Sequence, residues 1–287
     1  MNDGKRNCPE CGGSGWIVKE IKLKAMPWDN EKSTSTSGAA PCACRDQARA
    51  ATREDRSNIP ALYREASFDN FYLPVDNPDA NAGLAKVMVG ANQFVKEFPA
   101  GPCLGLLLIG DVGTGKTHLA VAALRLLIDR GFDGLFFNYH GLLEKIRSGY
   151  DSTSGASDRE AYRSVLETDV LLLDDLGARR VTNWVEDTIT AIITERCDSR
   201  KALIVTTNLA YRAEKKGTAP PSGPSEPSYK ETTLAERIGA RAVSRLSEMC
   251  HVIHMPTVSD YRLGQRASPR KGNTRRSIGN SEPQGAA

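Results

Sequence analysis

The sequence predicts an α/β protein whose core is a parallel β-sheet with helices on both faces. Apolar strand-like segments alternate with helical ones from residue 101 to 264, which is the pattern of parallel strands joined by helical crossovers. The strand-like segments are almost continuously apolar, as expected when helices cover both faces of the sheet. A glycine-rich loop, GDVGTGKT at 110–117, separates the first such strand from a helix.

The predicted elements are read from apolar spacing and from turn residues. Segment 83–98, for example, has apolar residues at Leu84, Val87, Met88 and Ala91, which is helical spacing. The predicted helices are 83–98, 117–131, 140–150, 158–167, 182–199 and 232–249. The predicted strands are 103–110, 134–138, 169–177, 201–208 and 250–255.

The composition is that of a soluble globular protein, with 40% hydrophobic and 25% charged residues in 287. The longest apolar runs fall short of the roughly 18 residues that a transmembrane helix needs. The first ten residues, MNDGKRNCPE, lack an apolar signal core. We therefore expect a cytoplasmic protein with no membrane contact. The net charge of only +3 says little about partners.

We expect four regions along the chain. Residues 1–50 form a cysteine-containing module, and 51–100 form a linker and a lead-in segment. Residues 101–264 form the core, with a Pro-, Ser- and Gly-rich insertion at 213–230 that we expect to be disordered. Residues 265–287 form a disordered basic tail, which either attracts phosphate non-specifically or only aids solubility. The small polar stretch 33–40 is predicted to be a flexible loop.

The loop 110–117 fits the pattern G-x-x-x-x-G-K-[ST] between a strand and a helix. Such a loop turns its backbone N–H groups toward phosphate oxygens, and the helix that follows adds its positive N-terminus. We expect Lys116 to reach the β- and γ-phosphates and the Thr117 hydroxyl to bind Mg²⁺. The expected nucleotide-binding residues are Gly110, Asp111, Val112, Gly113, Thr114, Gly115, Lys116, Thr117 and His118.

Acidic and amide side chains end two further predicted strands. Asp174 is expected to hold Mg²⁺, directly or through water. Asp175 is expected to act as the general base on the attacking water. Many related sites have Glu at the second position, and the shorter Asp175 is consistent with slow hydrolysis that serves as a switch. Asn208 is expected to place a water molecule or to contact the γ-phosphate.

Four cysteines form two close pairs, Cys8–Cys11 and Cys42–Cys44. Four thiolates are a complete ligand set for structural Zn²⁺, and a module of about 50 residues buries too little apolar surface to be stable alone. Disulfides and free thiols remain alternatives. A thioredoxin-like redox role is disfavoured because no βαβ pattern surrounds the motif. The other cysteines, expected to be ordinary buried side chains, are Cys103, Cys197 and Cys250.

The order of GDVGTGKT, VLLLDDLG, IVTTN, ERIGARAVSRLSEMC and SDYR resembles the AAA+ ATPases that load bacterial replicative helicases, the DnaC/DnaI-like family. It also resembles their relatives, the IstB-type transposition helper ATPases. The segment IPALYREASFDNF is similar to the lead-in segment of this group, and the resemblance covers residues 58–264. It implies an AAA+ fold, ATP and Mg²⁺ as cofactors, and loading of a helicase onto single-stranded DNA during replication.

The resemblance also implies roles for three arginines. Arg245 would be the arginine finger that reaches a neighbouring subunit's γ-phosphate, with Arg241 as the rival candidate. Arg262 would be a second sensor that contacts ATP within its own subunit. A finger that acts between subunits requires head-to-tail assembly.

Contacts with DNA, with the nucleobase and with the helicase are also inferred from this resemblance. Segment 138–151 occupies the place of a helical element that faces single-stranded DNA, or is an ordinary connector. Residues 1–50 would recognise the helicase, with the apolar residues at 16–18 as anchors or as the module's own core. The candidate DNA contacts are Lys145, Arg147 and Tyr150. The candidate base contacts, which are equally consistent with plain packing, are Tyr63 and Phe68.

Two other functions remain open. The same ATPase core suits a transposition helper that binds DNA and activates a transposase. It also suits an adaptor whose ATP site is only a binding switch, because Asp175 replaces the more common Glu. A small-molecule kinase fits least, since TTN, SRL and SDYR have no obvious use there.

Overall fold

The computed structural model describes residues 8–22, 35–151, 156–178, 182–211 and 232–264. The expected insertion at 213–230 and the expected basic tail at 265–287 lie outside these residues. The strands are β1 (Trp16–Lys22), β2 (Ser35–Pro41), β3 (Gly105–Ile109), β4 (Gly134–Asn138), β5 (Val170–Asp174), β6 (Ala202–Thr207) and β7 (Cys250–His254). The helices are α1 (Ala43–Arg56), α2 (Pro78–Glu97), α3 (Lys116–Asp129), α4 (Tyr139–Asp151), α5 (Ala156–Glu167), α6 (Asn183–Asp198), α7 (Leu234–Ile238), α8 (Ala240–Met249) and α9 (Tyr261–Gly264).

The core is a five-stranded parallel sheet in the order β4-β5-β6-β3-β7. Strand β6 lies between β3, which precedes the glycine-rich loop, and β5, which carries the acids. Because all five strands run the same way, the loop, the acids and Asn208 emerge at one edge of the sheet. In open α/β sheets this carboxyl edge is where ligands bind.

Helices cover both faces of the sheet, as the sequence predicted. On strand β3, Leu106 and Leu108 face one buried cluster, which includes the apolar sides of α2 and α3. Leu107 and Ile109 face the other cluster, which includes residues of α4, α6 and α8. The strand residues are buried whichever way they point, and this explains their continuous apolar sequence.

Two helical segments differ most from the sequence prediction. The predicted helix 232–249 is two helices, because Gly239 between them has a φ of 85°. A Cβ at Gly239 would also lie 2.4 Å from Oε1 of Glu186. Helix α2 begins at Pro78 rather than at 83, because Asn77 caps it by accepting a hydrogen bond from the Ala80 N–H at 3.0 Å.

The N-terminal module is a hairpin of β1 and β2 followed by α1. The prediction of a flexible loop at 33–40 is wrong for Ser35–Ala40, which pairs with β1 from Lys22↔Ser35 to Trp16↔Pro41. The strand ends are joined where the Cys42 N–H donates to the Gly15 carbonyl at 2.9 Å. Helix α1 starts directly after Cys42 and runs across residue 50, where we expected a regional boundary.

The C-terminal end of α1 is attached to the core. Arg125 on α3 forms an ion pair with Glu54 at 2.6 Å, and Arg53 pairs with Asp133 at 3.2 Å. The Ser57 carbonyl accepts a hydrogen bond from the Phe136 N–H of β4 at 2.7 Å. Across the described ranges, no helix is long and apolar enough to cross a membrane.

One buried arginine holds the end of α5. Arg196 on α6 is fully buried, and its guanidinium donates to backbone carbonyls rather than to a carboxylate. Burial lowers its pKa to about 10, although Asp169 opposes the shift. These carbonyls include ones that the end of a helix leaves without an intrahelical donor. The carbonyls that accept from Arg196 are those of Val165, Leu166, Thr168, Asp169 and Ala202.

Candidate nucleotide site and cysteine cluster

The glycine-rich loop runs from the end of β3 to the start of α3. Gly113 and Gly115 have φ angles of 80° and 92°, in the left-handed region that favours glycine. A Cβ at Gly115 would also lie 2.6 Å from the Phe71 ring. The loop ends in the N-terminus of a 14-residue helix, which is a favourable site for phosphate.

Lys116 lies inside this loop. Its Nζ donates to the Asp111 carbonyl at 2.6 Å, and the Thr114 hydroxyl donates to the same carbonyl at 2.9 Å. Burial lowers the pKa of Lys116, while the carboxylates of Asp175 and Asp174 oppose that shift. The ammonium group is therefore held in the loop by backbone contacts and lies near both acids.

Thr117 and Asp174 lie together, as the sequence predicted. The Thr117 hydroxyl donates to Oδ1 of Asp174 at 2.8 Å, and the Thr206 hydroxyl donates to the same oxygen at 2.7 Å. Burial raises the pKa of Asp174, and these two hydrogen bonds lower it. A hydroxyl and a carboxylate oxygen are the kind of ligands that Mg²⁺ takes in nucleotide sites, so the residues present fit Mg²⁺.

Asp175 and Asn208 are also adjacent. Asp175 has a φ of 62°, which is uncommon for a residue other than glycine, and its N–H donates to the Thr206 hydroxyl at 2.9 Å. The Nδ2 of Asn208 donates to Oδ1 of Asp175 at 2.8 Å. Backbone strain of this kind is often found at functional sites. Asn208 therefore orients the expected base rather than pointing away from it.

The sequence left two alternatives for Tyr63 and Phe68, a base contact or plain packing, and Phe68 fits the packing alternative. Phe68 is buried in the apolar cluster beneath α3. The Tyr63 hydroxyl interacts with Thr117, and burial together with Asp174 raises its pKa. Tyr63 therefore lies beside Thr117 while its ring packs against the apolar cluster, and its contact with a nucleobase stays a prediction. In the sequence, only the position of Tyr63 ahead of the core could have suggested this location.

A cavity of about 560 Å³ adjoins the glycine-rich loop. The rings of Tyr72 and Tyr261 lie 5.1 Å apart beside it, and Phe71 contacts the His118 ring at 5.5 Å. His118 also hydrogen-bonds through Nε2 to the Ser67 carbonyl at 2.9 Å. Aromatic walls beside a phosphate loop suit a flat heterocycle. The aromatic residues that the sequence analysis missed here are Phe71, Tyr72 and Tyr261.

The four N-terminal cysteines form one cluster, with all four Sγ atoms within 4.8 Å of one another. The Cys8–Cys42 and Cys11–Cys44 sulfur distances are 3.8 and 3.4 Å. Tetrahedral Zn²⁺, with Zn–S bonds of about 2.3 Å, places its sulfur ligands about 3.8 Å apart, whereas a disulfide needs about 2.05 Å. The donor set therefore fits Zn²⁺ and not a disulfide pair.

The thiols of this cluster shift in opposite directions in pKa. Burial raises the pKa of Cys11, but hydrogen bonds from Cys44 and from nearby backbone N–H groups outweigh it and lower the pKa to about 6. For Cys42, the Cys44 N–H lowers the pKa, but burial and the other thiols raise it to about 12. Negative charge builds up as the thiols ionise. A bound divalent cation would relieve that repulsion.

The apolar residues of β1 divide between the cluster and solvent. Ile17 packs against the cysteines. Trp16 is half exposed under the Arg45 guanidinium, whose Cζ lies 4.6 Å from the ring centroid, and Val18 is 79% exposed. Trp16 and Val18 are therefore not the module's core.

Residues 103–217 match a protein family described as IstB-like ATP binding protein. The "Crystal structure of the DnaC helicase loader" superposes with a TM-score of 0.55 at 29% identity, over 69% of this chain and 100% of that one. These findings support a DnaC/IstB-like family. The structure of "DnaI" has a TM-score of 0.52 at 21% identity, over 72% of this chain and 99% of that one, and shows the shared fold alone.

Curated relatives give the same picture over part of their length. The chain is 29% identical over 161 residues to an uncharacterized protein of Escherichia coli K12, YdaV, which is 56% of this chain and 61% of that protein. It is 26% identical over 154 residues to the replicative helicase loader DnaC of the same strain, which is 54% of this chain and 60% of that protein. The chain thus spans about three fifths of the curated relatives that it matches.

The predicted arginine finger lies away from the nucleotide site of its own chain. Arg245 on α8 pairs with Glu248 at 2.8 Å and with Asp198 at 3.8 Å. Hydrogen bonding and charge from Glu248, and then the charge of Asp198, raise the pKa of Arg245. The rival, Arg241, is exposed on the same helix. Their role between subunits stays a prediction.

The predicted DNA contacts lie on α4, next to the nucleotide edge of the sheet. Lys145 and Arg147 are exposed there, and Nζ of Lys145 lies 5.7 Å from the centroid of the Phe137 ring. Tyr150 is on the same helix, but its side chain lies outside what the structure describes. The two basic groups are accessible to a phosphate backbone, and DNA contact stays a prediction.

Proposed function

We propose that this protein binds and hydrolyses ATP and uses that cycle to load a replicative DNA helicase onto single-stranded DNA. One observation carries the ATPase assignment: the glycine-rich loop and the neighbouring strand ends bring Thr117, Asp174, Asp175 and Asn208 together beside the buried Lys116. The similarity to DnaC loaders supports the choice of helicase loading among the functions open to such a site.

The residues of the site divide the work of phosphoryl transfer. The loop N–H groups and Lys116 bind the phosphates, and Thr117 and Asp174 hold Mg²⁺. When bound, Mg²⁺ neutralises negative charge on the phosphates. Asp175 accepts the proton of the attacking water, and Asn208 holds that carboxylate by a hydrogen bond of 2.8 Å.

Slow turnover follows from the same geometry. An Asp carboxylate is one methylene shorter than Glu and reaches less far from β5 toward an attacking water. The left-handed backbone and the bond from Asn208 further restrict its movement. We therefore propose that ATP hydrolysis acts as a timed switch between helicase-bound and released states.

Assembly completes the site in this proposal. Arg245, or Arg241 in its place, reaches the γ-phosphate of a neighbouring subunit in a head-to-tail oligomer. An added cation at that position stabilises the charge of the transferring phosphoryl group. A rotation that does not close gives an open spiral, which can follow a single DNA strand. Lys145, Arg147 and Tyr150 are the proposed contacts with that strand.

The proposed division of the chain is the one expected from the sequence. Residues 1–50 recognise the helicase, 51–100 join them to the ATPase core at 101–264, and 265–287 form the basic tail. Zn²⁺ bound by Cys8, Cys11, Cys42 and Cys44 holds the recognition module. Trp16 and Val18 then present an exposed apolar surface to the partner.

A second candidate is a transposition helper, which the match to the IstB-like ATP binding family favours. The same ATP site would then drive assembly on duplex DNA and stimulate a transposase. The cysteine module in front of the core weighs against it, because it supplies a separate partner-binding surface.

Helicase co-purification, ATPase assays and DNA loading assays test the proposal. The full chain should bind the replicative helicase in the presence of ATP and place it on single-stranded circles. Lys116→Ala should abolish nucleotide binding, and Asp175→Asn should keep binding while turnover falls by about 10²–10⁴-fold.

Three results would contradict it. Absence of helicase binding with and without ATP would exclude the loader function. ATP-dependent filaments on duplex DNA that stimulate a transposase would establish the second candidate. Turnover that is absent, or that survives Lys116→Ala and Asp174→Ala, would leave a binding switch in place of an ATPase.

A further inference from the structure

We propose that Asp260 is a positioning residue that holds the Arg262 guanidinium toward the phosphates, so that the protein distinguishes ATP from ADP. The inference rests on the proposed function, in which Arg262 contacts ATP bound in its own subunit.

Asp260 and Arg262 form a two-point contact. Nε of Arg262 donates to Oδ1 of Asp260 at 3.1 Å, and Nη2 donates to Oδ2 at 3.2 Å. These two parallel bonds fix the plane of the guanidinium and leave the Nη1 donors directed away from the carboxylate. The Asp260 side chain is 22% exposed and that of Arg262 is 64% exposed. Asp260 is thus the more buried partner, which holds the guanidinium, and Arg262 is the partner that is accessible to a ligand.

The glycine-rich loop fixes Asp260 in turn. A Cβ at Gly113 would lie 2.1 Å from Cγ of Asp260, so the carboxylate lies directly on the loop backbone. The Tyr261 N–H donates to the Gly113 carbonyl at 3.3 Å, and the Tyr261 ring contacts Tyr72. The ion pair is therefore positioned relative to the phosphate-binding loop itself and not relative to a distant surface.

The ion pair stands beside the cavity that adjoins the glycine-rich loop. Asp260 and Tyr261 line this cavity together with Gly113, Thr114 and Gly115. Hydrogen bonding to Asp260 raises the pKa of Arg262, and Asp175 contributes in the same direction. Arg262 thus lies within electrostatic reach of the groups expected around the γ-phosphate, which ATP has and ADP lacks.

A carboxylate on a phosphate loop needs a reason, because alone it would repel the ligand. One competing role is that of a helix cap, since Asp260 accepts the Arg262 backbone N–H at 2.9 Å and α9 starts at Tyr261. A second competing role is to weaken nucleotide binding by repulsion that Arg262 only partly cancels. Capping, repulsion and positioning predict different effects of removing the charge.

Asp260→Asn and Asp260→Ser separate these three roles, because Asn and Ser both cap helices well and neither carries charge. The measurement is titration calorimetry of the full chain with Mg²⁺ and either ADP or a non-hydrolysable ATP analogue. Its readout is the ratio of the two dissociation constants. We expect the two Asp260 variants and Arg262→Ala each to reduce the preference for the ATP analogue over ADP about fivefold to tenfold. The Asp260→Asn/Arg262→Ala double variant should lose no more than Arg262→Ala.

The matched control is Asp133→Asn, which removes an exposed aspartate paired with Arg53 instead. Its discrimination ratio should equal that of the unaltered protein. Discrimination that rises in Asp260→Asn would establish repulsion and overturn the proposal. If the ratio of the two dissociation constants stays unchanged in the Asp260 variants while Arg262→Ala lowers it, then Asp260 acts only as a helix cap. If Arg262→Ala itself has no effect, then the sensor role in the proposed function fails, and the positioning role fails with it.

Discussion

The N-terminal module and the α/β core keep their shapes by different means. In the core, five parallel strands bury apolar side chains on both faces, and two large clusters fill the space beneath the helices. In the described part of the module, residues 8–22 and 35–50, the buried hydrophobic cluster consists of Cys8, Cys42 and Cys44, with Cys11 and Ile17 packed against them. Over these residues the four sulfur atoms occupy the place that apolar side chains occupy in the core.

The two regions therefore have separate sources of stability. A module of about 50 residues is generally too small to be stable through apolar burial alone and depends on a bound metal or on cross-links. Since the sulfur distances exclude disulfides, we propose that Zn²⁺ supplies the folding free energy of the module. The nucleotide site needs no such help, because its strands are buried on both sides.

Removal of the metal should have the largest effect, and it should be confined to the module. Cys8→Ser or a strong chelator should remove bound zinc and unfold β1 and β2, since structural zinc contributes on the order of 10 kcal/mol in small domains. Helicase binding should fail, while the dissociation constant for ATP stays unchanged. Metal analysis, hydrogen exchange of 16–22 and nucleotide titration measure the three effects.

The matched control is Cys103→Ser, which changes a cysteine outside the cluster and should leave the zinc content unchanged. A loss of ATP binding together with the metal would show that the two regions do not have separate stability.

The converse experiment destabilises the core and spares the module. Arg196→Met keeps the length of the side chain but leaves several buried carbonyls without donors, which should cost at least about 3 kcal/mol in the free energy of unfolding. Arg163→Met removes an exposed arginine that pairs with Glu167, and should cost less than about 0.5 kcal/mol. Denaturant unfolding measures both variants, and equal losses would refute the structural role of Arg196.

The smallest effect concerns the segment that joins the two regions. Tyr63→Phe keeps the ring and removes the hydroxyl that interacts with Thr117, so the Mg²⁺ concentration for half-maximal ATPase activity should rise about fivefold. Tyr211→Phe removes a hydroxyl that contacts Ser247 instead, and serves as control. If the Mg²⁺ dependence of the ATPase activity is unchanged in Tyr63→Phe, then Tyr63 contributes only through packing.

The sequence predicted the core well because its signals are local. The glycine-rich loop lies between an apolar strand and a helix, and the two acids follow directly after another strand. Each of these patterns can be recognised within ten residues of sequence. Parallel strands then bring Lys116, Asp174 and Asn208 to one edge. The sequence analysis missed the break between helices α7 and α8 at Gly239. That break depends on the approach of Glu186 from another helix.

Non-local contacts account for the other misses. The small polar residues of β2 carry no strand signal, and the segment is extended because it pairs with β1 and because Cys8 and Cys42, 34 residues apart, meet. The lead-in residues could be placed ahead of the core, but not over a particular pocket. Tyr63 therefore lies at the candidate metal site, while Phe71 and Tyr72 line the cavity.

Helix α1 connects the two regions without a hinge in its 14 residues, a length of about 21 Å. It begins in the cysteine cluster, directly after Cys42, and it ends where Glu54 and Ser57 contact the α/β core. A rigid helix transmits rotation as well as distance, and each residue turns it by about 100°. The orientation of the cysteine module about the helix axis is therefore set by the number of residues between Cys44 and Glu54, and two chains that differ there by a single residue would present the module at different angles to the core.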